Sequence, residues 1–274
     1  MYASRNLERR VPEATRIPRV LAIAGSDSGG GAGIQADLKA FAAAGVHGMT
    51  TITAITAQNT VGVAAVQAIA PEMIVAQVRA VAEDIGVDAV KIGMLGDAAT
   101  IAAVVDALDL LAPDTPIVLD PVMLAESGAE LLAPDARDAL VAELLPRATV
   151  VTPNVSEARA LAGDPDGEPD ELARAVHALG PRVVVVTGGH RDDPVDVLYD
   201  GEHLEHYEGP RHADGASHGS GCTHSSTLAA RLALGDSPRD AARAARSVTA
   251  DAVAHGLRDV GRGAGPVDVL YRRG

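Results

Sequence analysis

Aromatic side chains are nearly missing from this sequence of 274 residues, which has one Phe, four Tyr and no Trp. Any core must therefore be filled by Ala, Val, Leu and Ile, which suits a parallel sheet buried between Ala-rich helices. Cysteine is almost absent as well. The single Cys222 excludes an intrachain disulfide and sets the expectation of a reducing, cytoplasmic compartment. Lysine occurs only at Lys39 and Lys91. Positive charge is short overall, since 23 Lys and Arg stand against 37 Asp and Glu to leave a formal net charge of −14. That balance argues against nucleic acid or an anionic membrane as a partner. No run approaches about 18 uninterrupted apolar residues, so no membrane-spanning helix is expected. Residues 1–18 lack the apolar stretch of a secretory signal and carry Arg5, Arg9, Arg10, Pro12 and Arg16. They are expected to form a disordered N-terminal extension, followed by a single domain over 19–274.

What is present is an alternation. Short Val- and Ile-rich runs at 20–24, 50–56, 89–92, 117–119, 150–152 and 183–187 are separated by helical patterns near 33–44, 72–85, 98–111, 135–144, 155–161 and 170–179. This is the signature of βαβ units, and it predicts an α/β fold with a mostly parallel central sheet between two helical layers, a three-layer αβα sandwich. Residues 192–209 read differently. Two short runs there flank Asp200-Gly201, a pair that favours a tight hairpin. Two Ala-rich helices are predicted beyond it, over about 221–234 and 238–255.

In an open α/β sheet a ligand sits beyond the C-terminal strand ends, where loops meet helix N-termini. Two such loops are rich in glycine. The first contains Gly31-Ala32-Gly33-Ile34-Gln35-Ala36, which fits a loose dinucleotide fingerprint. That fingerprint also needs an acid about 20 residues later for the ribose, and no Asp or Glu occurs between Asp37 and Glu72. A Walker A loop is excluded because neither lysine follows a Gly. The second loop is His218-Gly219-Ser220-Gly221-Cys222-Thr223. Its glycines let backbone N–H groups converge at a helix start, where the helix dipole adds partial positive charge. Such a nest holds a triphosphate or a transferring phosphoryl group, although a plain glycine-rich turn has the same composition. His203, His206, His212, His218 and His224 crowd the same region at spacings that match no metal-ligand motif.

At this loop the chain resembles the ribokinase-like superfamily, whose kinases place G-x-G-D at the helix start. Cys222 stands at the Asp position. That substitution is similar to the hydroxymethylpyrimidine/phosphomethylpyrimidine kinases and some related pyridoxal kinases. Further motifs follow in the family's order. They are Ala24-Gly25-Ser26-Asp27 through Asp37-Leu38-Lys39, Ala57-Gln58-Asn59-Thr60, Lys91-Ile92-Gly93-Met94-Leu95, Leu119-Asp120-Pro121, Thr152-Pro153-Asn154 with Glu157, and Gly188-Gly189-His190. The resemblance covers about residues 19–268.

It implies an ATP-dependent kinase of thiamin biosynthesis. Such an enzyme phosphorylates 4-amino-5-hydroxymethyl-2-methylpyrimidine and then its monophosphate, with Mg²⁺ as cofactor, and works as a homodimer. Cys222 is then expected to take the hydroxymethyl proton, its thiol lowered by the helix N-terminus, within the Gly219–Gly221 nest. Gln58, Asp37, Gly25 and Met94 are expected to bind the pyrimidine. Asn154, Thr187, Gly219, Ser220 and Gly221 are expected to bind ATP, and Asp120 and Glu157 the metal. Two of these have competing local accounts. Asp37 also complements the dipole of its helix, and Asn154 with Glu157 also makes a capping box. Thr187 stands where many members carry a Lys, and Glu126 where a basic residue is frequent, so both remove positive charge from the phosphate path. The alternatives are a pyridoxal kinase, or a catalytically weak domain that senses the pyrimidine.

Overall fold

The computed structural model describes residues 16–125, 128, 131–188, 194–212 and 215–271. Among the described residues nine strands make one sheet, flanked by eight α-helices. In chain order they are β1 (Arg19–Asp27), β2 (His47–Asn59), β3 (Gly62–Ala68), β4 (Ala89–Ile92), β5 (Ile117–Leu119), β6 (Val150–Val151), β7 (Val183–Val186), β8 (Val195–Tyr199) and β9 (Leu204–Glu208). In space the order is β3-β2-β1-β4-β5-β6-β7-β8-β9. The six strands from β2 to β7 in that row pair in parallel, and β3, β8 and β9 are antiparallel to their neighbours.

The helices are α1 (Gly33–Ala44), α2 (Pro71–Asp84), α3 (Ala98–Leu108), α4 (Pro134–Ala139), α5 (Val155–Ala162), α6 (Pro169–His177), α7 (Ser220–Ala233) and α8 (Pro238–Ala254). Alternating strand residues fill the two interlayers, as the strand period of two requires. Leu21 and Ile23 of β1 pack with Ile74, Val78, Ile101, Leu161 and Leu172 from α2, α3, α5 and α6. Val20 and Ala22 face the other way, toward Phe41 of α1, Leu228 of α7 and Ala241 of α8. The lone Phe41 is fully buried, and aliphatic side chains supply nearly all the rest.

The expected hairpin around Asp200-Gly201 forms as β8 and β9. The edge strand β3 had no counterpart in the sequence pattern. Its residues 64–68 are exposed, so no buried face imposed an alternation on Gly62–Ala68. Residues 16–18, expected in the extension, are instead tied to the N-terminal ends of the strands beside β1. Arg16 Nη2 donates to Asp88 Oδ1 at 2.6 Å, and Pro18 O accepts from His47 N at 2.8 Å. The rest of the expected extension, 1–15, lies outside the described residues.

Chain order runs outward from β1 to β3 and then returns to β4 on the opposite side of β1. That reversal leaves a crevice beyond the ends of β1 and β4.

Candidate active site

A cavity of about 410 Å³ occupies this crevice, within the range of small-molecule sites. One end is built by β1, β2 and β4. Gly25 lies at the end of β1, where a Cβ would stand 3.0 Å from Met94 Sδ, so the bare backbone makes room for the thioether. Gln58 ends β2, with its Oε1 accepting from Thr56 Oγ1 at 3.2 Å. Gly25, Gln58 and Met94 all line the cavity.

The other end is the second glycine loop. Gly219 takes φ +83°, and a Cβ there would lie 1.8 Å from Gly31 O, so only glycine fits. Ser220, Gly221 and Cys222 then open α7, and all three line the cavity. Thr187 follows β7, its N–H donating to Pro153 O at 2.8 Å, which sets it beside Asn154 on the same wall. Asn154 and Glu157 form a complete capping box at the start of α5, with both arms at 2.9 Å. Glu157 nonetheless faces the cavity, as does Asp120 just past β5.

Two expectations need correction. Asp37 does not reach the cavity wall. It is fully buried, accepting from Lys91 Nζ at 2.9 Å and from Ser226 Oγ at 2.6 Å, so its carboxylate serves as a counter-ion behind the site rather than as a ligand group. Cys222 does sit in the nest, but its thiol is not lowered. Burial pushes it up to about 12; Lys91 and the Gly33 N–H oppose the rise, while Asp37 and Asp120 add to it. The helix dipole is outweighed by desolvation and by two nearby carboxylates.

Lys91 belongs to one of the motifs read in the sequence but was given no role there. It is fully buried, lines the cavity, and lies 2.9 Å from Asp37 and 3.9 Å from Asp120. Burial acts to lower its pKa, but Asp37, Cys222 and Asp120 hold it above the ordinary value. Asp120 is itself raised by burial, against the pull of Lys91 and a 3.0 Å hydrogen bond from Ser225. A lysine inside the apolar run Ala89-Val90-Lys91-Ile92 was the available signal, because a buried cation needs a partner. Asp27 and His218 were missed too, and they meet at 3.1 Å inside the cavity. A further buried pair, His224 and Asp196, stands at 3.4 Å beside Arg246. Glu126, Gly189 and His190 lie outside the described residues.

A doubly wound sheet with a polar pocket at its switch point, an anion nest at one end and carboxylates between, is the arrangement of a small-molecule phosphotransferase. The family model described as "Phosphomethylpyrimidine kinase" matches residues 27–268. The hydroxymethylpyrimidine/phosphomethylpyrimidine kinase of Rhizobium meliloti is 47% identical, over 92% of this chain and 97% of its own length. Among solved structures, an ADP complex of Bacillus subtilis pyridoxal kinase superposes with a TM-score of 0.83 at 38% identity, covering 92% of this chain and 97% of that one. The phosphomethylpyrimidine kinase of Clostridium difficile 630 gives a TM-score of 0.74 at 40% identity, covering 85% and 97%. The chain belongs to the phosphomethylpyrimidine kinase family.

Proposed function

We propose that this enzyme transfers the γ-phosphoryl group of ATP to 4-amino-5-hydroxymethyl-2-methylpyrimidine and then to the resulting monophosphate, on the route to thiamin. The observation that carries this reading is that Gln58 and the Gly219–Ser220–Gly221–Cys222 nest line one and the same cavity. The pyrimidine lies against Gly25 and Met94, where the amide of Gln58 offers both donor and acceptor to the ring edge. ATP lies along Asn154, Thr187 and the nest, with the backbone N–H groups at the start of α7 taking the charge of the transferring phosphoryl group.

Phosphoryl transfer passes through a loose transition state, so positioning and charge stabilisation carry most of the catalysis. Cys222 stands where the hydroxymethyl proton must leave; burial keeps its thiol mostly protonated at neutral pH and Lys91 opposes that rise, so the base is the small fraction present as thiolate. The second phosphorylation attacks from an oxygen that is already ionised, and it needs no base. Asp120 and Glu157 fit a Mg²⁺ ion that keeps most of its waters. Both carry carboxylate oxygens and line the cavity, and no group of three His, Cys, Asp or Glu among the described residues is close enough to cage a metal directly. Mg²⁺ would neutralise phosphate oxygens there. We place the enzyme in the cytoplasm as a homodimer. Among the described residues no helix is long and apolar enough to cross a membrane.

A specific observation favours pyridoxal as the competing substrate, namely the overlap with a solved pyridoxal kinase at a TM-score of 0.83. The test is steady-state phosphoryl transfer from Mg-ATP with hydroxymethylpyrimidine, its monophosphate and pyridoxal offered in parallel. The proposal expects both pyrimidines to turn over with higher kcat/KM than pyridoxal. A clear preference for pyridoxal would overturn the substrate, and binding without turnover would leave a pyrimidine-sensing domain.

A further inference from the structure

The two ends of the cavity are joined by a short run of contacts. At the pyrimidine end, Ser28 Oγ donates to Gln58 O at 2.6 Å and accepts from Gln58 N at 2.9 Å. The adjacent Asp27 gathers the first glycine loop around its carboxylate. It accepts from the N–H groups of Gly29, Gly31 and Ala32 at 2.7, 2.9 and 2.8 Å. Its remaining partner comes from the other loop, where His218 Nε2 donates to Asp27 Oδ2 at 3.1 Å. His218 directly precedes Gly219, the residue that turns the chain into the nest. The loops are also in steric register. A Cβ on Gly31 would fall 2.1 Å from the His218 ring, and one on Gly219 would fall 1.8 Å from Gly31 O.

Both members of the pair are buried, at 2% and 6% exposure. A buried hydrogen bond of this kind adds little net stability, because desolvation takes back most of the attraction. Its placement is more informative. It is the side-chain link between the loop that touches the Gln58 strand and the loop that forms the anion nest.

We infer that Asp27 and His218 are positioning residues that couple the binding of the two ligands, an aminopyrimidine beside Gln58 and a nucleoside triphosphate in the nest. The inference rests on the kinase reading above. A ligand that orders the first glycine loop also fixes His218, and with it the start of the nest. The second ligand then loses less conformational freedom on binding. The effect is reciprocal, since each ligand must change the other's affinity by the same factor.

The test is a binding cycle on the full chain by isothermal titration calorimetry in Mg²⁺ buffer. Hydroxymethylpyrimidine is titrated with and without saturating AMP-PCP, and AMP-PCP with and without saturating pyrimidine. Wild type is compared with His218→Ala, His218→Gln and Asp27→Asn. In wild type each ligand is expected to tighten the other by about fivefold or more, equally in both directions. In His218→Ala and Asp27→Asn the coupling factor is expected to fall below about twofold, whatever change each substitution makes in the separate Kd values. His218→Gln keeps a side-chain N–H for Asp27 and is expected to retain part of the coupling.

Loss of coupling in both directions, restored in part by His218→Gln, is a result that general weakening of either ligand's affinity would not give. Full coupling in His218→Ala, or binding of both ligands by wild type with none, overturns the inference and leaves the kinase reading standing. Wild type that binds neither ligand overturns both. If His218→Ala does not fold, His218→Gln and Asp27→Asn carry the same comparison.

Discussion

At the scale of single residues, the chemistry of the site is governed by charges that no solvent reaches. Lys91 faces two buried carboxylates, Asp37 at 2.9 Å and Asp120 at 3.9 Å. Removing one partner of such a pair leaves the other charge uncompensated, at a cost of about 3–5 kcal/mol. Lys91→Met is therefore expected to lower the free energy of unfolding by that amount, and adding Asp37→Asn should restore much of it. Strictly additive losses in chemical denaturation would show that the two charges do not act as a pair. Cys222 responds to the same carboxylates. A thiol pushed up to about 12 is mostly protonated at neutral pH, and its thiolate fraction rises about tenfold per pH unit below that value. Iodoacetamide alkylation of Cys222 should keep accelerating from pH 7 to about 10, where a free cysteine near pKa 8.5 would level off. Cys222→Ala is expected to cut the first phosphorylation by about a hundredfold, the low end for loss of a general base, with little effect on the second. Position within a motif was legible at Cys222, Gln58 and Met94. The state of the thiol was not, because Asp37 and Asp120 come from distant segments and the sequence does not show their burial. The same blindness made Asp37 look like a ligand group, since its counter-ion lies 54 positions further along the chain.

At the scale of elements, α5 shows one side chain carrying a local and a functional duty together. Glu157 closes the capping box with Asn154 and also faces the cavity. The two duties separate by substitution. Glu157→Gln keeps an oxygen for the Asn154 N–H, so stability should stay within about 0.5 kcal/mol, whereas Asn154→Ala should cost about 1 kcal/mol. If the carboxylate charge acts on the reaction, Glu157→Gln lowers kcat tenfold or more despite its intact fold. An unchanged kcat would reduce Glu157 to a cap. The N-x-x-E pattern announced the helix start in the sequence, but only the fold sets it on the wall of the cavity that the nest also lines. Helices and central strands were legible for a similar reason, because each buries one face and repeats apolar residues at the matching period. β3 escaped notice because residues 64–68 of it are exposed and it adds to the sheet through backbone hydrogen bonds with β2.

At the scale of the whole molecule, the cavity draws on both helical layers. α7 and α8 contribute Ser220, Cys222, Thr249 and Val253 from one side of the sheet, and α5 contributes Glu157 from the other. The two layers bury separate sets of side chains, one against Leu21, Ile23 and Ile92 and one against Val20, Ala22 and Val118. They share the strands that carry both sets, because successive residues of one strand point to opposite layers. Neither interlayer can open without unpairing strands that the other needs, and from this we expect the chain from the first strand onward to unfold as a unit. A ligand that binds only the folded state at about 100 times its Kd stabilises that state by about 2.7 kcal/mol. For a chain near this size each kcal/mol moves the midpoint by about 2–4 °C, so saturating AMP-PCP should raise Tm by about 5–10 °C. Differential scanning calorimetry should show one transition moving intact. Two transitions, with only the one belonging to the α1, α7 and α8 layer shifted by nucleotide, would mean that the layers unfold independently and that the site is held by half of the molecule alone.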